Sequence, residues 1–378
     1  MDNIFSILST IPDPRHGNHL TYPIDYLLLI MFSAIMSGYT TWTDFELYAE
    51  LHENDLKELY TRITRRKLKR YTPSHDTFGY ACALLNPERF SEAFTNWLSS
   101  LFKMTGQHIC IDGKTMRGVK RLSPDAEAHS VTAYISGLRA SFNQVYISQK
   151  SNEINAIKNL LDLIDLEGNV VTIDAIGTQK EIVKKIVEGS GDYILNVKGN
   201  QPGTLLEVEE HFNPFYTKEI IKTEETDAGH GRIESRMMES IVEPLRFKEI
   251  ERYKDLDNWM GLHSIHKMTR KRHNKKDGSE SVEISYFISS LSDPNKVFHL
   301  IRNHWAIENN LHYCLDMIMG EDRSLRRKGN AAKNVNIIHK MVLFFLERLK
   351  KKKKRALAAL QKMNAMKEPT DIINMDYL

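Results

Sequence analysis

The sequence predicts a mixed α/β sheet covered by helices, with an all-helical segment before it and a β-rich insertion within it. Three observations support this fold class. The first hundred residues carry apolar positions mostly at helical spacing. From residue 108 onward, short β-branched runs alternate with helical segments, as they do in α/β chains. Between about 205 and 290 this alternation stops, and charged, strand-like segments follow.

The N-terminal segment is predicted to be helical throughout. Residues 26–36 include LLLIMFSAIM, which is too short to span a bilayer and indicates a buried helix. Residues 44–60 have an amphipathic pattern, and Pro87 in NPERF is typical of a first helical turn. Short helices beside a basic run form either a helix-turn-helix DNA-binding unit or plain helical packing, and the pattern leaves both open.

The central part predicts the element order β-β-β-α-β-α-β. The strands are residues 108–114, 130–137, 143–149, 170–173 and 192–198, and the helices are residues 153–164 and 178–189. A short turn separates the second and third strands, which indicates an antiparallel hairpin. After the insertion, one long helix is predicted from Asn295 to about Met319.

Composition is ordinary for a globular protein, but the cations are clustered. The 378 residues include 41% hydrophobic and 27% charged residues and carry a net charge of only +3. Basic clusters occupy residues 61–70, 266–276 and 350–355. Such clusters can neutralise phosphates, although each one alone can equally be a solvated surface.

The cysteines and the N-terminus favour a cytoplasmic setting. Cys82, Cys110 and Cys314 are far apart and odd in number, so neither a disulfide framework nor a CxxC zinc pattern is indicated. The first residues lack the basic-then-apolar layout of a signal peptide.

Two buried strand runs each end on an aspartate. Residues 170–173, four β-branched residues, stop at Asp174, and the run HICI stops at Asp112. A buried carboxylate without a partner is costly, so each needs a cation, hydrogen-bond donors or a metal. Asp174 could instead cap a helix that begins near Thr178. If the two strands are neighbours, a divalent metal would remove the repulsion between the carboxylates.

A third acid is expected after the insertion. The candidates are Glu308, Asp316, Glu321 and Asp322. Glu308 is the hardest to explain as a surface residue, because apolar residues surround it in the helix. His304 and His312 lie four residues to either side of it on one helix face. A zinc site is a further possibility for this stripe, but the HExxH pattern is absent and hydrogen bonding is the commoner fate of such histidines.

Ten short motifs give the chain a resemblance to a known family. In order, they are IPDPRHG, HDTF, IDGKTMRG, KSNEI, TIDAIGTQ, DYILNVKGNQ, HGRIESR, IRNHWAIENNLHYCLDM, EDRS and GNAAKN. Together they resemble the H-repeat-associated insertion-sequence transposases, from about Ile11 to Asn334. Each motif is weak alone, and ten in sequence order are specific.

The resemblance implies a fold and a site. It implies an RNase H-like five-stranded mixed sheet with flanking helices and an Asp-Asp-Glu triad that binds two Mg²⁺ ions, for which Mn²⁺ can substitute. Carried over by motif, the triad is Asp112, Asp174 and Glu308. The implied divisions are a helical associated domain at 1–104, a catalytic domain at 105–345 with its insertion at about 205–290, and a basic tail at 346–378.

The resemblance also implies the partners. These are double-stranded DNA, at the terminal inverted repeats of the element and at the target, and a second copy of the chain. No membrane is involved, and the protein is expected in the bacterial cytoplasm with the nucleoid. The predicted DNA-contacting residues are Lys114, Lys198, Gln201, Arg302, Arg65, Arg66, Arg70, Arg323, Arg326 and Arg327.

One departure from related transposases concerns the route of cleavage. Enzymes that cut through a DNA hairpin carry Tyr-x2-Arg-x3-Glu-x6-Lys around the glutamate. This chain has Ile301, His304 and Leu315 at the other three places, which puts a hairpin route in doubt, and Arg302 is a candidate substitute cation.

The function predicted is Mg²⁺-dependent cleavage of DNA at the element ends, followed by attack of the freed 3′-OH on target DNA. Two alternative functions agree with many of the same sequence features. One is an RNase H-like nuclease that cuts without joining strands. The other is a domesticated or inactive transposase that only binds DNA.

Overall fold

The structure is a computed structural model that describes residues 4–16, 20–149, 152–215, 219–229, 231–244, 255–375 and 377. Gly17, Lys150, Ser151 and His230 of the ten motifs lie outside these ranges. In the described part of the first hundred residues, the regular elements are all helices: α1 Ile4–Leu8, α2 Ile24–Met36, α3 Trp42–Leu51, α4 Glu53–Thr64, α5 His75–Leu84 and α6 Pro87–Leu101.

The sheet and the remaining helices follow. The strands are β1 His108–Thr115, β2 His129–Ile135, β3 Ala140–Ile147, β4 Val170–Ile173, β5 Asp192–Val197, β6 Ile221–Gly229, β7 Arg232–Val242, β8 Ser264–Asn274 and β9 Glu280–Ser289. The helices are α7 Arg117–Leu122, α8 Glu153–Asp162, α9 Lys180–Glu188, α10 Pro202–His211, α11 Pro294–His304, α12 Tyr313–Met317, α13 Ala331–Lys353, α14 Leu357–Asn364 and α15 Pro369–Ile373.

The mixed α/β prediction is confirmed, but the described sheet has nine strands and not five. Their order is β3-β2-β1-β4-β5-β9-β8-β7-β6. Strands β1, β4 and β5 are parallel, and the other neighbours are antiparallel. The insertion does not form a separate sheet, because β9 pairs with β5 and covers its open edge. Its strands therefore extend the sheet that carries both aspartates.

The long amphipathic helix predicted at 44–60 is two helices in the structure. Thr41 and Asp44 form a capping box at the start of α3, with Asp44 N–H donating to Thr41 Oγ1 at 3.1 Å. The helical path breaks at His52, whose Nδ1 is 2.9 Å from Oε2 of Glu368 near the C-terminus. His52 and Glu368 are 316 residues apart in the sequence. The hydrophobic periodicity of residues 44–60 could not predict a break that coincides with such a long-range contact.

The last residues do not form the basic tail that was predicted for 346–378. Helix α13 continues to Lys353, and α14 and α15 then pack against α2 and α4. Gln361 donates to the carbonyl of Ile35 at 3.0 Å, and Asn364 donates to that of Met36 at 3.1 Å. The lysine run thus lies at the end of a helix, and the chain beyond it completes the N-terminal core.

The helix predicted from Asn295 to Met319 is interrupted. Helix α11 ends at His304, residues Glu308–His312 form a π-helical turn, and α12 follows. Single π-turns within helices are rare and occur often at functional sites. The interruption falls on Glu308, the predicted third acid.

None of the described helices combines the length and the apolar character that crossing a membrane requires. The three cysteines are free and buried, in agreement with the prediction that they form no disulfide framework.

Candidate active site

An open cleft of about 520 Å³ lies over the sheet. Its walls include Asp112 from within β1, Asp174 from directly after β4 and Glu308 from the π-helical turn. The sequence places these carboxylates 62 and 134 residues apart, and the fold brings all three to one cleft. The roles predicted for them as metal ligands remain predictions.

Asp112 is fixed by the strand pairing and by a histidine. Strands β1 and β4 are parallel neighbours with Ile111 opposite Ile173, so Asp112 and Asp174 come side by side at the carboxyl end of β4. Asp174 lies just beyond its strand, whereas Asp112 lies inside β1, which continues to Thr115 and pairs Asp112 with Thr132 of β2. Oδ2 of Asp112 lies 3.1 Å from Nε2 of His312, and the N–H of Gly113 donates to Oδ1 at 2.8 Å. Burial alone would raise the pKa of Asp112, but His312 and the Gly113 N–H outweigh it and hold that pKa below its ordinary value.

Asp174 both caps a turn and faces the cleft. Its Oδ1 accepts from the N–H of Ile176 at 3.1 Å, which caps a short 3₁₀ turn at Ala175–Gly177. The side chain is exposed. Asp174 therefore does act as a cap, but of this 3₁₀ turn and not of the α-helix predicted near Thr178, which begins at Lys180 with Gln179 as its N-cap. The cap leaves the other carboxylate oxygen available to a ligand in the cleft.

Glu308 is exposed in the structure, contrary to the prediction that it is buried in a helix. It faces the cleft because the π-helical turn shifts the helix register at this position. Partial burial and then the negative charge of Asp112 raise the pKa of Glu308 above its ordinary value. The two carboxyl groups are close enough to share a hydrogen bond.

His304 lies at the cleft and is linked by hydrogen bonds to the buried residues Thr172 and His108. Its Nδ1 is 2.8 Å from Oγ1 of Thr172, and that oxygen is 2.9 Å from Nε2 of His108. Burial lowers the pKa of His304, while the nearby charges of Asp112 and Asp174 act in the opposite direction. This histidine therefore sits beside both aspartates in a fixed orientation.

The donors at the cleft fit a hard divalent cation in kind, because carboxylate oxygens are the ligands that Mg²⁺ prefers. Partial burial first and then the charge of Asp112 raise the pKa of Glu308, and a cation would relieve both effects by pairing with the carboxylate. As they stand, no three His, Cys, Asp or Glu side chains in the described ranges are grouped closely enough to hold a metal ion. A cation shared by all three acids thus requires the exposed Asp174 and Glu308 side chains to change rotamer.

The zinc alternative has no support in the described part of the chain. His304 bonds with Thr172, and His312 bonds with Asp112, so the two histidines use their facing nitrogens in hydrogen bonds. The structure follows the commoner outcome for histidines at this spacing.

Two of the cations predicted to contact DNA line the cleft. Lys198 is exposed just beyond β5. Arg302 lies on α11 and is paired with Glu225 and Asp227 of β6, with Nη2 2.6 Å from Oδ2 of Asp227. Both remain candidates for phosphate contacts, although Arg302 would first have to leave its acidic partners.

Lys114 and Gln201 have structural partners instead. Lys114 is only 7% exposed, and its Nζ lies 2.6 Å from Asp316 and 3.2 Å from Glu321. These carboxylates outweigh the effect of burial and raise the pKa of Lys114. Gln201 donates from Nε2 to the carbonyl of Thr178 at 2.8 Å. The ammonium group of Lys114 is thus enclosed and already neutralised, and a contact with DNA, which stays a prediction, would require it to leave these acids.

Arg326 also has partners within the protein, and its predicted contact with DNA stays a prediction. Its guanidinium lies 4.5 Å from the ring centroid of Trp42 and donates to the carbonyl of Thr40. Burial lowers the pKa of Arg326 to about 10. Arg323 and Arg327 are exposed, so their predicted contacts with DNA remain open.

The basic run at 61–70 lies on the surface, mostly beyond α4. Helix α4 ends at Thr64, and Arg65 takes a left-handed conformation with φ of 60°. Arg66 Nη2 is 3.1 Å from Oδ2 of the buried Asp25, whereas Arg65 and Arg70 are exposed. Arg66 therefore has a structural partner, and the other two are available to DNA.

The largest group of cleft-lining residues that the sequence analysis did not name lies on the insertion. The cleft is also lined by Trp305 and by four arginines of β7 and β8: Arg232, Arg236, Arg270 and Arg272. The charge run at 266–276 contained a signal, since Arg270 and Arg272 alternate with Lys271 and so share one face of a strand. Nothing in the sequence showed that this face turns toward the aspartates.

Comparison with known proteins finds two matching families, each over one part of the chain. Residues 103–345 match the family described as "Transposase DDE domain", and residues 5–98 match the family described as "DDE_Tnp_1-associated". "Putative transposase YncI" of Escherichia coli O157:H7 is 35% identical over 380 residues, which cover 95% of this chain and 92% of that protein.

A second relative carries the H-repeat name. "H repeat-associated putative transposase YhhI" of Escherichia coli K12 is 32% identical over 338 residues, which cover 86% of this chain and 85% of that protein. Among solved structures, the piggyBac transposase synaptic complex with hairpin DNA aligns over 96% of this chain and 74% of that one, at 12% identity and a TM-score of 0.41. That likeness is too weak to support an inference about this fold.

Proposed function

The chain belongs to the H-repeat-associated DDE transposase family, and we propose that it cleaves DNA at the ends of an insertion sequence and joins the freed ends to target DNA. The single observation that carries this proposal is the meeting of Asp112, Asp174 and Glu308 at one cleft that also holds several cations. Carboxylates beside arginines suit a phosphodiester, which needs its charge neutralised while one oxygen attacks and another leaves.

We assign Asp112, Asp174 and Glu308 as the residues that would hold two Mg²⁺ ions, or Mn²⁺ in their place. When bound, such ions would activate the attacking oxygen and stabilise the leaving one. The contribution of the protein is to hold these carboxylates in position. The parallel pairing of β1 and β4 sets the two aspartates side by side, and His312 orients Asp112.

The RNase H-like fold is proposed for the first five strands. Their order, β3-β2-β1-β4-β5, has an antiparallel hairpin beside three parallel strands. This agrees with the fold that the sequence resemblance implied. The strands of the insertion then lengthen the sheet on the β5 side.

The DNA is proposed to run from the cleft onto the surrounding cations. Lys198 and Arg302 line the cleft, while Arg65, Arg70, Arg323 and Arg327 are exposed elsewhere on the surface. If one of these residues neutralises a phosphate, its change to alanine should reduce the slope of log affinity against log salt by roughly 0.9. The active complex is expected to be a homodimer on DNA, in the cytoplasm.

The test is incubation with a labelled duplex that carries the terminal repeat flanking the gene, together with Mg²⁺ and target DNA. We expect nicked and then joined products. Asp174→Asn should abolish both while DNA affinity stays within a few-fold, because asparagine keeps the cap on the Ile176 N–H but loses the charge that a metal needs.

The outcomes separate this function from its alternatives. Nicks without joined products indicate a nuclease. DNA binding with neither product indicates an inactive DNA-binding protein. Unchanged cleavage by Asp174→Asn would show that this aspartate serves only as a cap.

A further inference from the structure

Four arginines surround one buried carboxylate on the cleft side of β7 and β8. We call this the arginine cluster: Arg232, Arg236, Arg270 and Arg272 around Glu234. Oε1 of Glu234 lies 2.6 Å from Nη2 of Arg236 and 3.9 Å from Nε of Arg270. Its Oε2 lies 3.5 Å from Nε of Arg272 and 3.9 Å from Nε of Arg232. Glu234 is only 5% exposed, so it is the centre of the cluster and not a surface partner.

The charges of this cluster do not balance. Arg236 has a second acid in Asp227 at 3.0 Å, and Arg270 has one in Glu283. Arg232 and Arg272, in contrast, both pair with Oε2 of Glu234, and within the described ranges neither has a second ion-pair partner. The Nε of Arg272 is buried and finds no hydrogen-bond acceptor there. Two guanidinium groups are thus left with much of their charge and many of their donors unused.

The arrangement is unfavourable for the protein alone. Arg236 stands directly opposite Arg270 across β7 and β8, and like charges in that position are destabilising. Such a local conflict is expected where a site is built for a ligand. Planar guanidinium groups with parallel donors match a phosphate, and such an anion would balance the remaining positive charge.

We infer that Arg232 and Arg272, aligned by Glu234, form a phosphate-binding subsite on the insertion for the DNA backbone away from the cleaved bond. This inference rests on the proposed function, since it takes DNA as the ligand. The cluster and the three carboxylates line one continuous cleft, so a strand held at the acids passes the arginines. Arg270, 5.3 Å from the ring centroid of Trp305, also connects the cluster to the segment that carries Glu308.

The strand register gives the position of the contacted phosphate. Asp174 follows the pair Ile173 and Leu195, so it lies level with Asn196 of β5. Asn196 pairs with Phe287, and Phe287 pairs with His266 of β8. Arg272 is therefore three strands across and six residues along from Asp174. At about 4.8 Å per strand and 3.4 Å per residue, the separation is on the order of 25 Å.

That separation corresponds to about seven nucleotide steps at 3.4 Å each along duplex DNA. The subsite should therefore contact a phosphate roughly five to nine nucleotides from the cleaved bond. A free nucleotide would not extend over this distance, which favours a DNA strand as the occupant.

The experiment uses the labelled terminal-repeat duplex, with a single uncharged methylphosphonate placed in turn at each of the first dozen positions from the cleavage site. Affinity is measured for the wild-type protein and for Arg272→Gln, Arg232→Gln and Lys271→Gln. Lys271 is the matched control, because it is an exposed cation of β8 that alternates with Arg270 and Arg272 and so faces the opposite side of the sheet.

We expect the wild type to lose affinity, by roughly tenfold, at one or two neighbouring positions five to nine nucleotides away. Arg272→Gln should bind unmodified DNA about as weakly as the wild type binds the duplex with a methylphosphonate at the sensitive position. For this variant, the methylphosphonate at that position should cause no further loss of affinity. Lys271→Gln should behave as the wild type does. If Arg272→Gln melts at a lower temperature than the wild type, the more exposed Arg232→Gln supplies the same comparison.

Two results would overturn the inference while leaving the proposed function intact. In the first, Arg272→Gln and Arg232→Gln both cleave DNA efficiently, and both lose affinity at the same methylphosphonate positions as the wild type does. The other is competition by ATP against DNA in the wild type but not in Arg272→Gln, without any sensitive position, which would assign the subsite to a free nucleotide. A wild-type protein that neither binds nor cuts the duplex would overturn both proposals.

Discussion

Nε2 of His312 lies 3.1 Å from Oδ2 of Asp112, and this contact joins the π-helical turn that carries Glu308 to the strand that carries the first aspartate. His312 is only 6% exposed, and its Nδ1 has no hydrogen-bond partner among the described residues. The histidine therefore acts on Asp112 through one nitrogen. It fixes the side chain and favours its charged form.

Changing His312 to alanine should slow DNA cleavage by roughly 10- to 100-fold, the usual effect of losing a residue that orients a metal ligand. The pKa of Asp112 should rise, because burial then acts without the hydrogen bond that opposes it. Since Asp112 works as a carboxylate, activity should begin to fall at a higher pH than in the wild type. The measurement is the cleavage rate across the acidic and neutral pH range.

His312→Gln is the matched variant, because its amide can still donate to Asp112. It should recover part of the rate and shift the acid limb less. If both variants keep the wild-type pH profile, His312 has only a packing role.

Changing Glu308 to glutamine should raise the melting temperature in buffer without divalent metal, while abolishing cleavage. The pKa of Glu308 is raised in the folded protein, mainly by partial burial and then by the charge of Asp112. A carboxyl group with a raised folded pKa lowers stability as pH increases from its ordinary value through the folded one. Above the folded pKa that unfavourable effect is fully present, and glutamine removes it.

Mg²⁺ provides the second measurement for this variant. The ion should raise the melting temperature of the wild type, because it relieves the same repulsion, and should raise that of Glu308→Gln much less. Equal stabilisation of both proteins would place the metal somewhere other than beside Glu308. Asp322→Asn is a suitable control, since that acid lies in the turn after α12 and not on the cleft.

Local pattern predicted the two aspartates well, because the information lies within each strand. A β-branched run that stops on an acid marks the end of a buried strand, and parallel neighbours bring such ends together. The structure agrees for Asp174, which directly follows β4, whereas Asp112 lies within β1, which continues to Thr115. The pairing of Ile111 with Ile173 still places the two acids side by side. The position of Glu308 was predicted by motif resemblance, whereas its exposure was not, because a π-helical turn leaves no clear periodic signal.

Side-chain partners across long sequence distances could not be predicted from pattern. Lys114 and Arg326 looked like available cations, yet one is enclosed by Asp316 and Glu321 and the other lies on Trp42. A cation on a polar stretch looks the same whether it faces water or a buried acid. The predicted number of strands was wrong for a related reason, since only the pairing of β9 with β5 shows that the insertion joins the same sheet.

Arg326 and Arg327 are adjacent but should respond in opposite ways to alanine. Arg326→Ala should destabilise the fold by about 2–4 kcal/mol, because it removes a buried guanidinium from the Trp42 ring and leaves the carbonyl of Thr40 without its donor. Arg327→Ala should change the unfolding free energy by no more than about 0.5 kcal/mol, as at other exposed positions. Urea unfolding of both variants measures this difference.

The DNA affinities should show the reverse order. Arg327→Ala should weaken binding and flatten its salt dependence if that arginine contacts a phosphate, and Arg326→Ala should leave the slope unchanged when measured on folded protein. A reduced slope for Arg326→Ala with unchanged stability would support the original prediction that Arg326 holds DNA.

Removing residues 355–378 should prevent stable folding of the N-terminal helices. The segment buries five apolar side chains: Leu357, Leu360, Ile372, Ile373 and Tyr377. At about 1.5–3 kcal/mol each, their loss is comparable with the whole stability of a typical domain, which is about 5–15 kcal/mol. It would also expose α2, all of whose residues are buried. Expression in the soluble fraction and thermal melting are the measurements.

Changing the lysines at 351–354 to glutamine separates charge from packing. These side chains are exposed, so the variant should melt near the wild-type temperature while it loses whatever contribution the run makes to the salt dependence of DNA binding. The two changes therefore test different physical effects. A truncated protein that melts cooperatively at the wild-type temperature would mean that α14 and α15 lie on the core without stabilising it. That result would follow if the chain entropy lost in ordering the segment offsets what its burial contributes.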